Sequence, residues 1–154
     1  MARALIIGYG NSLRTDDGFG WHAAQKLATC LCNSDAEVLA QHQLTPEMAE
    51  TASHFQLVIF IDAAADLPPG ELRCERIARG GNGAQADASS FSHFLTPASL
   101  LALTAKLYAK FPDSYYISVG AESFAEGESI SPIVQAAFEP LLVQVCALLA
   151  QGKR

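Results

Sequence analysis

Apolar positions along this chain follow two rhythms. Ala4-Leu5-Ile6-Ile7, closed by Gly8, and Leu57-Val58-Ile59-Phe60-Ile61, closed by Asp62, are short continuous runs. Their length and β-branched content read as strands buried on both faces, the second a central strand of a parallel sheet. Phe19, Ala23, Leu27 and Leu31 instead recur four apart, with Ala24 and Ala28 beside them and His22, Gln25, Lys26 and Thr29 opposite. That spacing predicts a half-buried helix from about Asp17 to Cys32, with His22 solvated on its outer face. Glu37 to Gln43 alternates weakly and reads as a second strand. Thr45-Pro46-Glu47 predicts a helix start, running to about Ser53.

The loop from Ala63 to Gly70 is too short for a parallel crossover. The alternating segment Leu72–Ile77 after it therefore reads as an antiparallel edge strand. Arg79–Ser92, rich in glycine, serine and alanine, reads as a loop. Thr96-Pro97 opens a helix carrying Leu100, Ala102, Leu103 and Leu107 that ends near Lys110. Tyr115–Gly120 reads as another strand, and Glu122–Glu128 as an acidic loop. Ser131-Pro132 opens the last helix, whose wide stripe includes Ile133, Val134, Ala137, Phe138, Leu141 and Val145. Strand–helix alternation predicts an α/β fold. It is a three-layer α/β/α sandwich with a mostly parallel, about five-stranded sheet and one antiparallel edge strand. The 154 residues suit a single domain over 1–154, with no internal repeat or linker.

Composition narrows the class. Half the residues are hydrophobic and the formal net charge is −6. Such a chain lacks the basic patches that nucleic acid or an anionic membrane surface requires. The cysteines, Cys30, Cys32, Cys74 and Cys146, form no C-x-x-C pair. A structural zinc site is not indicated, and their scatter predicts buried thiols in a reducing compartment. The first residues lead into a strand without a signal-like apolar segment, and no uninterrupted apolar run reaches the roughly 18 residues of a membrane span. These features together predict a cytoplasmic protein.

Candidate chemistry concentrates in Ala4–Gly20. Gly8-Tyr9-Gly10-Asn11 turns the chain out of the first strand, and Asp16-Asp17 stand where the helix begins. In open α/β sheets that crevice is where ligands bind. One of the two acids can serve simply as a helix cap. The glycines also invite a dinucleotide-binding reading, but Leu13 occupies the third glycine position and the second strand ends at Gln41-His42-Gln43 without an acid. Two adjacent carboxylates would also repel a pyrophosphate. Asp62 ends its strand at the same crevice, either as a site residue or as the organiser of the following turn.

Gly8-x-Gly10-Asn11 followed by Asp16-Asp17-Gly18-x-Gly20, with Ile61-Asp62-Ala63 later, resembles the nickel–iron hydrogenase maturation endopeptidases. His42-Gln43-Leu44-Thr45-Pro46-Glu47 resembles the branch serving soluble, bidirectional or NAD-linked hydrogenases. The resemblance implies a protease that removes the C-terminal extension of a nickel-loaded large-subunit precursor. It implies nickel carried by that substrate, met by Asp17, Asp62 and a histidine at the position of His93. A lone loop histidine is otherwise ordinarily solvated. Two carboxylates and an imidazole suit a divalent Ni, Zn, Mn or Fe with open positions. No Ser-His-Asp arrangement or motif-borne cysteine is evident, so water is the expected nucleophile, with Asp16 or a metal-bound water assisting activation. Arg14 and the Arg79–Ser92 loop are candidates for gripping a substrate tail. A non-catalytic metal-binding maturation chaperone and, further off, a nucleotide-binding oxidoreductase are the alternatives.

Overall fold

The computed structural model describes residues 3–32, 34–79 and 95–152. In chain order the elements are β1 (Ala4–Tyr9), a 3-10 turn (Thr15–Gly18), α1 (Phe19–Cys30), β2 (Ala36–Gln41), α2 (Met48–Ala52) and β3 (Leu57–Ala64). They are followed by β4 (Leu72–Arg76), α3 (Pro97–Tyr108), β5 (Asp113–Gly120), α4 (Pro132–Gln135) and α5 (Phe138–Gly152). One five-stranded sheet has the order β2-β1-β3-β5-β4. All its pairs are parallel except β4 with β5, so the antiparallel edge strand stands where the alternating Leu72–Ile77 segment placed it.

Period-two alternation sends successive side chains of each strand to opposite faces. Ala4, Ile6, Ile59, Ile61, Ile117 and Val119 pack under α1, α4 and α5. Leu5, Ile7, Val58 and Phe60 pack under α2 and α3. Strands apolar on both faces need helices on both, and two helical layers cover this sheet.

Several boundaries and exposures differ from the sequence expectation. Asp62 does not end β3 but lies inside it, because the ladder with β5 continues to Ala64↔Gly120. The last helix is broken into α4 and α5. The stretch Pro132–Gln151 does reach the length and composition of a membrane span, 20 residues at hydropathy 1.8. Its stripe of Val134, Ala137, Phe138, Leu141, Val145 and Leu148 is packed on the sheet. The cysteines are not the buried thiols expected. Cys30, Cys32 and Cys146 are exposed and Cys74 is half-buried: Cys30 and Cys146 fall on outward positions of α1 and α5, and Cys32 lies in the turn after α1.

The glycines of the first motif have a packing explanation. A Cβ on Gly20 would strike the carbonyl oxygens of Ile61 and Tyr9, and one on Gly8 would strike the Gly20 carbonyl. The start of α1 thus lies directly on the backbones of β1 and β3, at a distance only glycine permits. Overpacking such a contact costs about 1–3 kcal/mol. Gly20→Ala is therefore expected to lower unfolding stability by that amount in a urea titration. An unchanged midpoint would show that α1 can lift from the sheet.

Candidate active site

The C-terminal ends of β1, β2 and β3 open into a crevice of about 1040 Å³. Its floor holds Tyr9, Asp17, Asp62 and Tyr116, and its far wall is the start of α3 at Thr96-Pro97. Thr96 caps that helix by accepting a hydrogen bond from Ser99 N at 3.1 Å. His42 and Gln43, just past the end of β2, form the third side. A smaller hollow of about 620 Å³ opens at the opposite, N-terminal end of the parallel strands. The Arg76 and Asp113 side chains there are already paired with each other at 3.1 Å.

Asp62 reaches the crevice by register and parity. It shares the α2–α3 face with Val58 and Phe60, and the Gly8↔Ile61 pair brings Tyr9 alongside it. Its Oδ1 accepts from Ala63 N at 2.7 Å and its Oδ2 from the Tyr116 hydroxyl at 3.0 Å. Burial raises its pKa from 3.8 to about 6. Hydrogen bonds from Ala63, Tyr116 and Tyr9 oppose that rise, while the nearby charge of Asp17 adds to it. Burial and the Asp62 charge in turn push both tyrosine hydroxyls up, so they remain neutral donors. Tyr9 and Tyr116 are the site residues the sequence reading missed. The parity of the β-strand run Tyr115–Gly120, followed backwards from its buried face, is the signal that could have singled out Tyr116.

The adjacent acids point in opposite directions. Asp17 lines the crevice and accepts from Asn11 N through Oδ2 at 3.0 Å. Asp16 is fully buried. Its Oδ1 accepts from Ser131 N at 2.7 Å. Its Oδ2 accepts from Glu122 N at 2.8 Å, Ser123 N at 3.0 Å and the Ser131 hydroxyl at 2.7 Å. Burial alone would raise the pKa of Asp16, but these bonds outweigh it and hold it below the usual value. Asp16 therefore does not face the crevice where it was expected to assist the chemistry. It ties the 11–18 segment to the loop between β5 and α4.

Thr15 reinforces the tie from a left-handed backbone, φ 43°. Its hydroxyl donates to the Ser123 and Ala125 carbonyls at 2.7 and 3.0 Å, and its N–H to Gly127 O at 2.7 Å. The same loop reaches α1, where His22 is half-buried rather than solvated. Its Nε2 is shut away without a hydrogen-bond partner among the described residues. Burial and then Lys26 push its pKa down, against the opposing charge of Glu128.

His93 lies outside the described residues, as does most of the Arg79–Ser92 loop. Leu95, two positions after His93, lines the crevice. Among the described residues no three His, Cys, Asp or Glu side chains converge in a metal-binding group. Asp17 and Asp62 supply two anionic oxygen donors, suited to adding contacts to a cation already held by something else. The space over the β1 turn is taken by the chain itself. Gly10, at φ 149°, lies against the Asp17 carbonyl so closely that even a Cβ would collide with it. That leaves no cradle there for a pyrophosphate.

The two acids set opposite pH dependences. Between pH 3.8 and about 6 the folded chain holds a proton on Asp62 that the unfolded chain releases. This contribution to stability is full below the lower value and is lost as pH rises through the upper one, about 3 kcal/mol in all. The uncharged Asp62→Asn is expected to exceed the parent in stability by roughly 2 kcal/mol at pH 8 and to show no advantage at pH 4. Equal urea midpoints at pH 8 would contradict it. The depressed Asp16 works the other way: its stabilisation is present above its unfolded value and lost as pH falls through the folded one. Asp16→Asn is expected to cost about 3 kcal/mol at neutral pH, because it strands buried donors. The difference from the parent should shrink in acid.

No family model matches the sequence, and no curated protein does. Solved structures do match the fold. The hydrogenase maturating endopeptidase HybD from E. coli superposes with a TM-score of 0.75 at 24% identity, covering 97% of this chain and 93% of that one. A hydrogenase 2 maturation peptidase from Thaumarchaeota archaeon SCGC_AB-539-E09 gives a TM-score of 0.72 at 24% identity over 96% and 98%. The nickel–iron hydrogenase maturation protease HycI from Thermococcus kodakarensis KOD1 gives 0.74 at 21% over 97% and 93%. This chain has the α/β fold of those maturation peptidases along nearly its whole length.

Proposed function

We propose that this protein is an endopeptidase of hydrogenase maturation. It removes the C-terminal extension of a nickel-loaded large-subunit precursor in the cytoplasm. The observation that carries the reading is the convergence of Asp17, from the turn before α1, and Asp62, from within β3, on one crevice in the fold of known maturation peptidases. The resemblance of His42–Glu47 to the branch serving soluble, bidirectional or NAD-linked hydrogenases points to a substrate of that kind, and His42 and Gln43 line the crevice wall.

In this reading nickel arrives with the precursor, held by the precursor's own ligands. Asp17, Asp62 and His93 contribute outer contacts that recognise the loaded state and set the scissile bond in the crevice. Water is the nucleophile. Proton transfer falls to a crevice group, because both oxygens of Asp16 are occupied within the fold. The tyrosine hydroxyl on Asp62 fixes the plane of that carboxylate before substrate arrives, which reduces the ordering cost at the moment of reaction.

The test is incubation with purified precursor, read by mass. Nickel-loaded precursor should lose its extension, and apo precursor should remain intact with protease in excess. Asp17→Asn and Asp62→Asn should slow cleavage about a hundredfold or more. His93→Ala should abolish it without loss of folding. Chelation of the protease alone should leave activity intact. Activity lost on chelation and restored only by metal added to the protease would show a self-contained metalloprotease. Precursor binding without any mass change would show a chaperone.

A further inference from the structure

Arg14 has the placement of a substrate-reading group. It lines the crevice beside Asp17, next to Leu13, which is 57% exposed on the same rim. Its backbone is fixed from several sides. Arg14 N donates to Asn11 O at 3.1 Å, Asp17 N donates to Arg14 O at 3.0 Å, and Arg14 bridges to Gly127. The next residue is the left-handed Thr15, anchored to the loop after β5. The side chain is aimed as well. Nε donates to Phe124 O at 3.2 Å, which uses one corner of the guanidinium and leaves both Nη groups free of any protein carboxylate among the described residues.

The other arginines of known pairing differ. Arg76, also at the crevice, is tied to Asp113, while Arg3 pairs with Glu37 and Arg73 with Asp66. Arg79 instead lies over the Phe111 ring, its guanidinium carbon 5.8 Å from the centroid. A planar fork with two free corners matches a carboxylate in bidentate geometry. Among the described residues, Arg14 is the cation on the Asp17 side of the crevice, able to attract an anion where the two aspartates repel one.

We propose that Arg14 is a specificity-determining residue that binds a carboxylate of the substrate segment lying in the crevice. This rests on the peptidase reading for the identity of the segment. The carboxylate is either the free C-terminus of the extension or an acidic side chain within it. Leu13 gives the adjacent position an apolar lip.

The experiment uses fluorescein-labelled synthetic peptides of the precursor extension with the full-length protein. One carries a free C-terminus, one is amidated, and one has its acidic side chains replaced by amides. Anisotropy titrations with the parent and with Arg14→Gln should show about tenfold weaker binding by the variant, confined to peptides that keep the recognised carboxylate. The peptide whose neutralisation removes the difference identifies which carboxylate it is. Arg14→Lys should restore part of the loss, and added salt should weaken the parent more than Arg14→Gln. Equal weakening of all peptides would show that Arg14 acts only through its Phe124 contact, and would overturn the proposal. So would failure of every peptide to bind, or binding indifferent to Arg14. Carboxylate-dependent binding without precursor cleavage would sink the peptidase reading and leave this one standing. Cleavage with an unchanged KM in Arg14→Gln would do the reverse.

Discussion

One buried carboxylate holds the crevice in shape. Asp16 accepts three backbone N–H bonds and one hydroxyl from Glu122, Ser123 and Ser131, residues far along the chain. Those donors would otherwise be unpaired at a loop turn and at the entry to α4. An ionised acceptor surrounded by donors is worth more than the same bonds to a neutral group. The tie fixes the 11–18 segment against the end of β5. That in turn fixes Asp17, Arg14 and the start of α1.

The fold was legible because its strands obey simple patterning. Continuous apolar runs predicted doubly covered strands, and the short Ala63–Gly70 loop predicted the antiparallel partner. The site was legible only in part. Asp17 and Asp62 could be assigned to the crevice from strand ends, but the different fate of Asp16 could not. Its partners lie over a hundred positions away, and no local spacing encodes such a contact. Tyr9 was visible as a turn residue, not as a neighbour of Asp62, because that contact depends on the β1–β3 register. The glycines were legible as a motif and misleading as chemistry. They exist for backbone-to-backbone packing of α1 on the sheet. The solvated reading of His22 followed from helical periodicity, which does not know that a distant loop folds over that face.

The site also carries a tension between stability and use. Asp62 is kept in a setting that disfavours its charge, beside Asp17 and under two tyrosines. Folding alone would be better served by a neutral side chain there. A positive charge brought into the crevice would relieve that penalty, so the folded chain itself carries part of any attraction for one. The surrounding rigid ladder of β1, β3 and β5 is what withstands this unfavourable arrangement.

The opposite orientation of two neighbouring acids limits how this loop can change. Asp16 faces inward and Asp17 outward, and Gly10 and Gly18 pack the two ends of the segment against each other, Gly10 on the Asp17 carbonyl and Gly18 on the backbone of Asn11 and Ser12. Side chains between them, such as the exposed Leu13, can vary without disturbing the tie. The number of residues cannot. Counted from Gly10, a single insertion would bring Thr15 to the buried hub and leave it without its anion, and a single deletion would bring Gly18 to the crevice position and leave that without its carboxylate. Length, more than identity, is the quantity this segment must conserve.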